Sequence, residues 1–126
     1  MHKRIINSSL APAPIGPYNQ AVMAGNTLYV SGQIAIDQAK GTIVNADISA
    51  ETTQVMTNLG YILKEAGMDF ENVVKCSIFI KDMNNFAKIN EVYGKYFTQD
   101  PPARETVEVA RLPKDVNIEI SCVAVI

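Results

Sequence analysis

Arg104 has the makings of a binding group in this chain of 126 residues. Pro101-Pro102-Ala103 stiffens the approach to it, and Arg104, Thr106 and Glu108 then share one face of a predicted strand opposite Val107 and Val109. A guanidinium fixed in this way is a two-pronged cradle for a carboxylate, the alternative being a surface or intersubunit salt bridge. Glu119 is the second such residue. It projects between Ile118 and Ile120 toward the opposite side of its strand, where partial burial leaves a carboxyl two choices. It pairs with a lysine or arginine, or it shifts toward its neutral form and can hold or activate a water. Tyr18, after Gly16-Pro17, and Ser31-Gly32-Gln33, at a strand end, are polar groups of the kind that line clefts, although each alone also reads as a turn residue. Gly32 lets a ligand approach the backbone N–H closely. Asn90 stands in the middle of a helical stretch beside Ile89, where asparagine has poor propensity; it is a surface residue or a ligand or water contact.

What the chain lacks narrows the chemistry. His2 is its one histidine, near the start, so a Ser/His/Asp triad, a Cys/His pair or a histidine-rich zinc site is hard to build, and Ser31 has no histidine base to make it a nucleophile. Cys76 and Cys122 form no CxxC and read as buried small hydrophobes. The net charge is −2 and the arginines are Arg4, Arg104 and Arg111, so no basic stripe offers itself to a phosphate backbone, and nucleic acid is not an expected partner. With no apolar run long enough to span a membrane and no signal-like segment, a cytoplasmic location is expected.

These residues need a scaffold. Hydrophobic residues make up 48% of the chain and charged ones 19%, which suits a single folded domain over residues 1–126. Residues 4–6 read as a short edge strand, and 19–24 and 27–31 as a hairpin around Gly25-Asn26. A further turn is expected at 37–41. Apolar residues at helical spacing over 49–66 predict an amphipathic helix capped by Asp47 or Ser49 and stopped by Gly67. Residues 73–81 alternate as a strand with Val74, Cys76, Ile78 and Ile80 on one face and Val73, Lys75, Ser77 and Phe79 on the other. A second helix follows, capped by Asn84 or Asn85, with Phe86, Ile89, Tyr93, Tyr96 and Phe97 as its stripe. Strands at 103–110 and 117–126 complete an α/β (α+β) order, which predicts a mixed sheet with two helices packed on one face. The reverse face, with Val73, Phe79, Val123 and Val125 beside Glu119 and Ser121, is half apolar and is expected to be covered by identical subunits.

The strings Ile15-Gly16-Pro17-Tyr18, Ser31-Gly32-Gln33-Ile34, Pro102-Ala103-Arg104 and 107–115, VEVARLPKD, resemble those of the Rid (YjgF-like) family, and most closely its RidA-type enamine/imine deaminases. The resemblance covers essentially the whole chain, and the block from Arg104 to Asp115 is its most specific part. It implies a chorismate-mutase-like fold assembled as a homotrimer, with sites in clefts between subunits and no metal or organic cofactor. It also implies hydrolysis of 2-aminoacrylate and related enamines or imines to 2-keto acids and ammonia. Under that likeness Arg104 binds the substrate carboxylate with help from the Gly32 backbone, Glu119 positions the attacking water, and Tyr18, Ser31, Asn90 and Thr106 shape the pocket. One departure stands out: many relatives carry Ser-Cys after the arginine, where this chain has Glu105-Thr106. Two functions stay open, a deaminase and a non-catalytic metabolite-binding or regulatory trimer.

Overall fold

The computed structural model describes residues 2–126. Eight strands and two helices follow one another as β1 (Lys3–Ile6), β2 (Ala21–Ala24), β3 (Thr27–Gln33), β4 (Ile36–Asp37), β5 (Thr42–Ile43), α1 (Ile48–Glu65), β6 (Val73–Ile80), α2 (Phe86–Gly94), β7 (Ala103–Glu108) and β8 (Ile118–Val125). Six strands form one sheet in the order β1-β2-β3-β8-β6-β7, antiparallel throughout except for the parallel β6–β7 pair. Both helices pack on one face, giving the mixed α+β architecture expected.

Local chemistry explains most boundaries. The β2–β3 hairpin closes over Gly25-Asn26 with Ala24 opposite Thr27, and Gly25 takes φ +61, which a side chain would resist. Asp47 caps α1 by accepting from the Ala50 N–H at 2.8 Å, so the aspartate and not Ser49 does this work. Gly67, at φ +74, ends the helix while the Met68 N–H returns to the Leu63 carbonyl. The α1 stripe of Val55, Met56, Leu59, Ile62 and Leu63 is fully buried against Leu28, Ile78, Ile118 and Ile120 of the sheet. Each such side chain contributes about 1.5–3 kcal/mol by leaving water.

Four details depart from the expectations. Val73 pairs with Ala124 and Lys75 with Val123, so Val74 is an extra residue in a bulge; it is 48% exposed while Val73 turns into the core, reversing their predicted faces. The second helix is preceded by a 3-10 turn at Met83–Asn85 capped by Asp82, and neither Asn84 nor Asn85 caps with its side chain. Tyr96 and Phe97 lie past the end of α2 and pack on Phe70. The turn near Asp37 is a small separate hairpin, β4 paired with β5. On the face away from the helices, Tyr29 is 53% and Val107 39% exposed, with Phe79, Val123 and Val125 half-buried beside them.

Candidate active site

The sheet register places Arg104 first. It pairs with Cys76, and Cys76 with Cys122, in one row across β7, β6 and β8; Thr106 shares the next inward row with Ile78 and Ile120. Partners in a row share a face, and the cysteines and isoleucines are buried toward the helices, so Arg104 and Thr106 point that way too. The guanidinium lies against α2, its Cζ 4.9 Å from the centre of the Tyr93 ring and 5.6 Å from that of Phe86. No carboxylate meets it. The ion pairs among the described residues are Lys75–Glu105 and Arg111–Asp115. Asn90 shares the helical face of Phe86 and Tyr93, and Asn90 Oδ1, Thr106 Oγ1 and the Tyr93 hydroxyl are buried without a hydrogen-bond partner. Such a group costs about 1–3 kcal/mol until something satisfies it. The Tyr93 hydroxyl lies beside the Cys76 thiol, and burial pushes both groups up, with Arg104 pulling each back.

Glu119 belongs to a different row. It pairs with Phe79, which pairs with Val107, all on the face away from the helices. Burial alone pushes its carboxyl above the ordinary range, and no cation pairs with it among the described residues. Its carboxylate lies close over Gly32, where a methyl group would come within 2.7 Å of the Glu119 Cδ. Gly32 and Ser31 stand opposite Ser121 in a bulge between the Val30–Cys122 and Gln33–Ile120 pairs. Tyr18, Gly32, Ile34, Pro113 and Glu119 border a cleft of about 40 Å³, which is room for a few waters at most.

Buried polar clamps, none visible to sequence reasoning, hold this second group. Glu51, fully buried in the first turn of α1, accepts from the Asn117 backbone N–H and from Asn117 Nδ2, both at 2.8 Å, two residues ahead of Glu119. Asn58 Nδ2 donates to the Ile34 and Ile36 carbonyls at 3.0 Å, fixing the chain after Gly32-Gln33. Gln20 Nε2 donates to the Ser8 and Pro12 carbonyls, tying down the proline-rich loop before Tyr18. Pro113 enters the cleft wall on a turn in which Lys114 and Asp115 take φ 56 and 55, held by the Arg111–Asp115 ion pair at 2.7 Å.

The candidates thus fall into two sets. Tyr18, Gly32 and Glu119 converge on one cleft; Arg104, Thr106 and Asn90 gather under α2. Ser31 stands next to the first set with its hydroxyl donated to the Asn19 carbonyl at 2.7 Å. The Gly32 backbone cannot assist Arg104 within one chain, because the two lie on β3 and β7 with β8 and β6 between them, about 14 Å by strand spacing. Sequence reasoning missed Tyr93 and Phe86 as neighbours of Arg104, assigning them to an apolar stripe. The signal was available in their i, i+4, i+7 spacing with Asn90, which puts a polar group on the same stripe.

The fold and this pair of polar clusters define a compact α+β domain that leaves a cation and a carboxyl unpaired. Residues 8–126 match the family model described as Endoribonuclease L-PSP, and the chain belongs to that family, also known as YjgF/Rid. Among its relatives, "RutC family protein slr0709" of Synechocystis is 53% identical over all of this chain and 98% of its own. The "2-iminobutanoate/2-iminopropanoate deaminase" of Homo sapiens is 46% identical over 98% of this chain and 90% of its own. Among solved structures, E. coli TdcF with bound serine has a TM-score of 0.94 at 40% identity, covering 98% of both chains.

Proposed function

We propose that this chain is a hydrolytic deaminase of small 2-imino and 2-enamino acids such as 2-aminoacrylate, yielding 2-keto acids and ammonia. It works as a single-domain subunit of a homotrimer whose sites lie between copies. The observation that carries the reading is Arg104: a guanidinium flanked by two rings, near the buried and unpartnered Asn90 Oδ1 and Thr106 Oγ1, and without an acid of its own. A substrate carboxylate supplies the missing anion in bidentate form. The deaminase named among the human relatives supports the same substrate class.

The chemistry asks for placement more than for a strong nucleophile. An imine carbon is already electrophilic, so orientation, one positioned water and proton transfer suffice. Glu119 serves all three needs. In its neutral form, which burial favours, it protonates the methylene carbon of an enamine to give the iminium and is itself left as carboxylate. As carboxylate it accepts a proton from water as the oxygen bonds to C2, returns that proton to the nitrogen of the resulting carbinolamine, and takes up the carbinol O–H proton as the C–N bond breaks, so that ammonia and the 2-keto acid leave and the neutral acid is restored. Tyr18, Ser31 and Gly32 line the side of the pocket bearing Glu119, and Asn90 and Thr106 the side bearing Arg104. Since the two sets lie on opposite faces of one sheet, one copy supplies the arginine side and its neighbour the carboxyl side. The exposed Tyr29 and Val107 and the half-buried Phe79 supply an apolar face for that contact.

The test generates 2-aminoacrylate from serine with a dehydratase and follows pyruvate. Pure protein is expected to accelerate its release over spontaneous hydrolysis, and equal rates with and without protein would end the deaminase reading. A non-catalytic metabolite-binding trimer is the second reading, favoured by the serine bound in TdcF. It would be supported by tight 2-keto acid binding without turnover. The ribonuclease in the family description gains no support from a net charge of −2 and a sole histidine at position 2. In the soluble-protein setting the proposal assumes, the location is cytoplasmic; no helix among the described residues is long and apolar enough to cross a membrane.

A further inference from the structure

A free arginine side chain samples many rotamers, and freezing it on ligand capture would oppose binding. Here two aromatic side chains from α2 flank the guanidinium. We infer that Tyr93 and Phe86 form an aromatic bracket that holds the Arg104 guanidinium in position, which makes them positioning residues for carboxylate capture. Tyr93 is 6% exposed and its ring centre is 4.9 Å from Cζ, so it is the inner wall; Phe86, 38% exposed and 5.6 Å away, is the outer one. Both distances lie within the reach of a cation–π contact. The two rings sit about two helical turns apart, so a single helix face delivers both, with Asn90 between them.

The Tyr93 hydroxyl argues that the ring, and not a polar contact, is what the position supplies. It is buried without a hydrogen-bond partner, beside a thiol that is itself buried. Removing it forfeits at most a weak contact with the Cys76 thiol and leaves the face of the ring in place. An ordinary salt bridge would have fixed the arginine equally well, but it would have occupied the guanidinium edge that a substrate carboxylate must meet. Aromatic faces brace the cation from the side and leave its donors free.

The substrate in this inference rests on the deaminase reading, but the order of the guanidinium does not. The experiment therefore has two readouts. The first is the Arg104 Nε–Hε signal of the protein without substrate, by 15N relaxation. The expected result is a rigid signal in wild type and in Tyr93→Phe, and a mobile one in Tyr93→Leu and Phe86→Leu. The second is steady-state kinetics with 2-aminoacrylate. Tyr93→Leu is expected to raise KM about tenfold with kcat changed less than about twofold, Phe86→Leu to raise it about threefold, and Tyr93→Phe to restore the wild-type value. Phe86 is partly exposed and keeps the test open should Tyr93→Leu fail to fold. A rigid guanidinium and unchanged KM in Phe86→Leu, with only a lower Tm, would overturn the bracket. A mobile guanidinium in a wild type that lacks turnover would sink both inferences, whereas a rigid one without turnover would remove only the deaminase.

Discussion

On the helix side of the sheet Arg104 is a cation without an anion; on the open side Glu119 is a carboxyl without a cation. The two regions are built differently. Arg104 is braced by aromatic faces on an edge strand, with unpaired oxygens about it, whereas Glu119 stands on a central strand, positioned through backbone clamps from Glu51, Asn58 and Gln20. Under the proposed function the first would receive the substrate carboxylate and the second would position the water, with Glu119 lying close over Gly32. Glu119 and Arg104 are separated by two strand spacings, about 10 Å, as well as by the sheet itself. What the contrast teaches is that one chain keeps its unpaired cation and its unpaired carboxyl on opposite faces of the sheet, which is why the proposed function draws the two halves from neighbouring copies.

The largest effect should come from breaking that division. If Arg104 grips the substrate carboxylate as proposed, Arg104→Ala removes two charged hydrogen bonds and is expected to lower kcat/KM at least about a hundredfold in the pyruvate assay. Glu119→Gln should lose activity as well. Unfolding the two inactive variants together and refolding them sharpens the comparison. If each site joins Arg104 of one copy to Glu119 of the next, half of the arginine sides and half of the carboxyl sides are intact, and about a quarter of wild-type activity returns. No recovery would mean that both groups act within one chain, against the geometry described above.

Gly32→Ala comes next. Its methyl group would stand 2.7 Å from the Glu119 Cδ, so the carboxyl must swing away from the cleft. Overpacking of this kind costs about 1–3 kcal/mol, and a tenfold or greater loss of kcat with a near-normal KM is expected, since the arginine side is untouched. An increase in KM alone would place Gly32 on the wrong half.

A smaller effect separates the halves by pH. Burial raises the Glu119 pKa above its unfolded value, so the folded chain favours the neutral acid. The resulting stability is fully present below the unfolded pKa and is lost as pH rises through the folded one. Glu119→Gln carries no such loss. Its Tm should exceed that of wild type by about 2 °C at neutral pH and match it near pH 3.5. A wild type that is the more stable at neutral pH would reveal a cation paired with Glu119, supplied by another copy.

Much of this is legible in the sequence. Gly25-Asn26, Asp47, Gly67 and the α1 stripe are local signals, and each acts within a few residues of itself. The face of Glu119 followed from alternation too, as did the shared side of Arg104 and Thr106, but which face of the sheet Arg104 takes did not, because it depends on which strands are neighbours and on the parallel β6–β7 pairing. The bulge at Val74 was hidden for a similar reason. Two adjacent valines carry no mark of which is extra, and only the partner strand decides. Likewise Glu51 and Asn58 look like ordinary helix residues until their acceptors and donors on distant segments appear.

The last prediction is of almost no effect, and it bears on the arginine half. Cys76 is 1% exposed and Cys122 4%, and burial pushes both thiols up, the Arg104 charge being too weak to reverse this at Cys76. Reaction needs a thiolate that can be reached, so neither thiol should be labelled by a disulfide reagent until the protein is denatured. Tyr93 lies beside the Cys76 thiol and against the Arg104 guanidinium. Rapid labelling of Cys76 alone in the folded protein would therefore mean that the Tyr93 ring swings out on the timescale of the reagent. A bracket that opens so readily could not keep Arg104 pre-set, and the contrast between a braced cation and a clamped carboxyl would disappear.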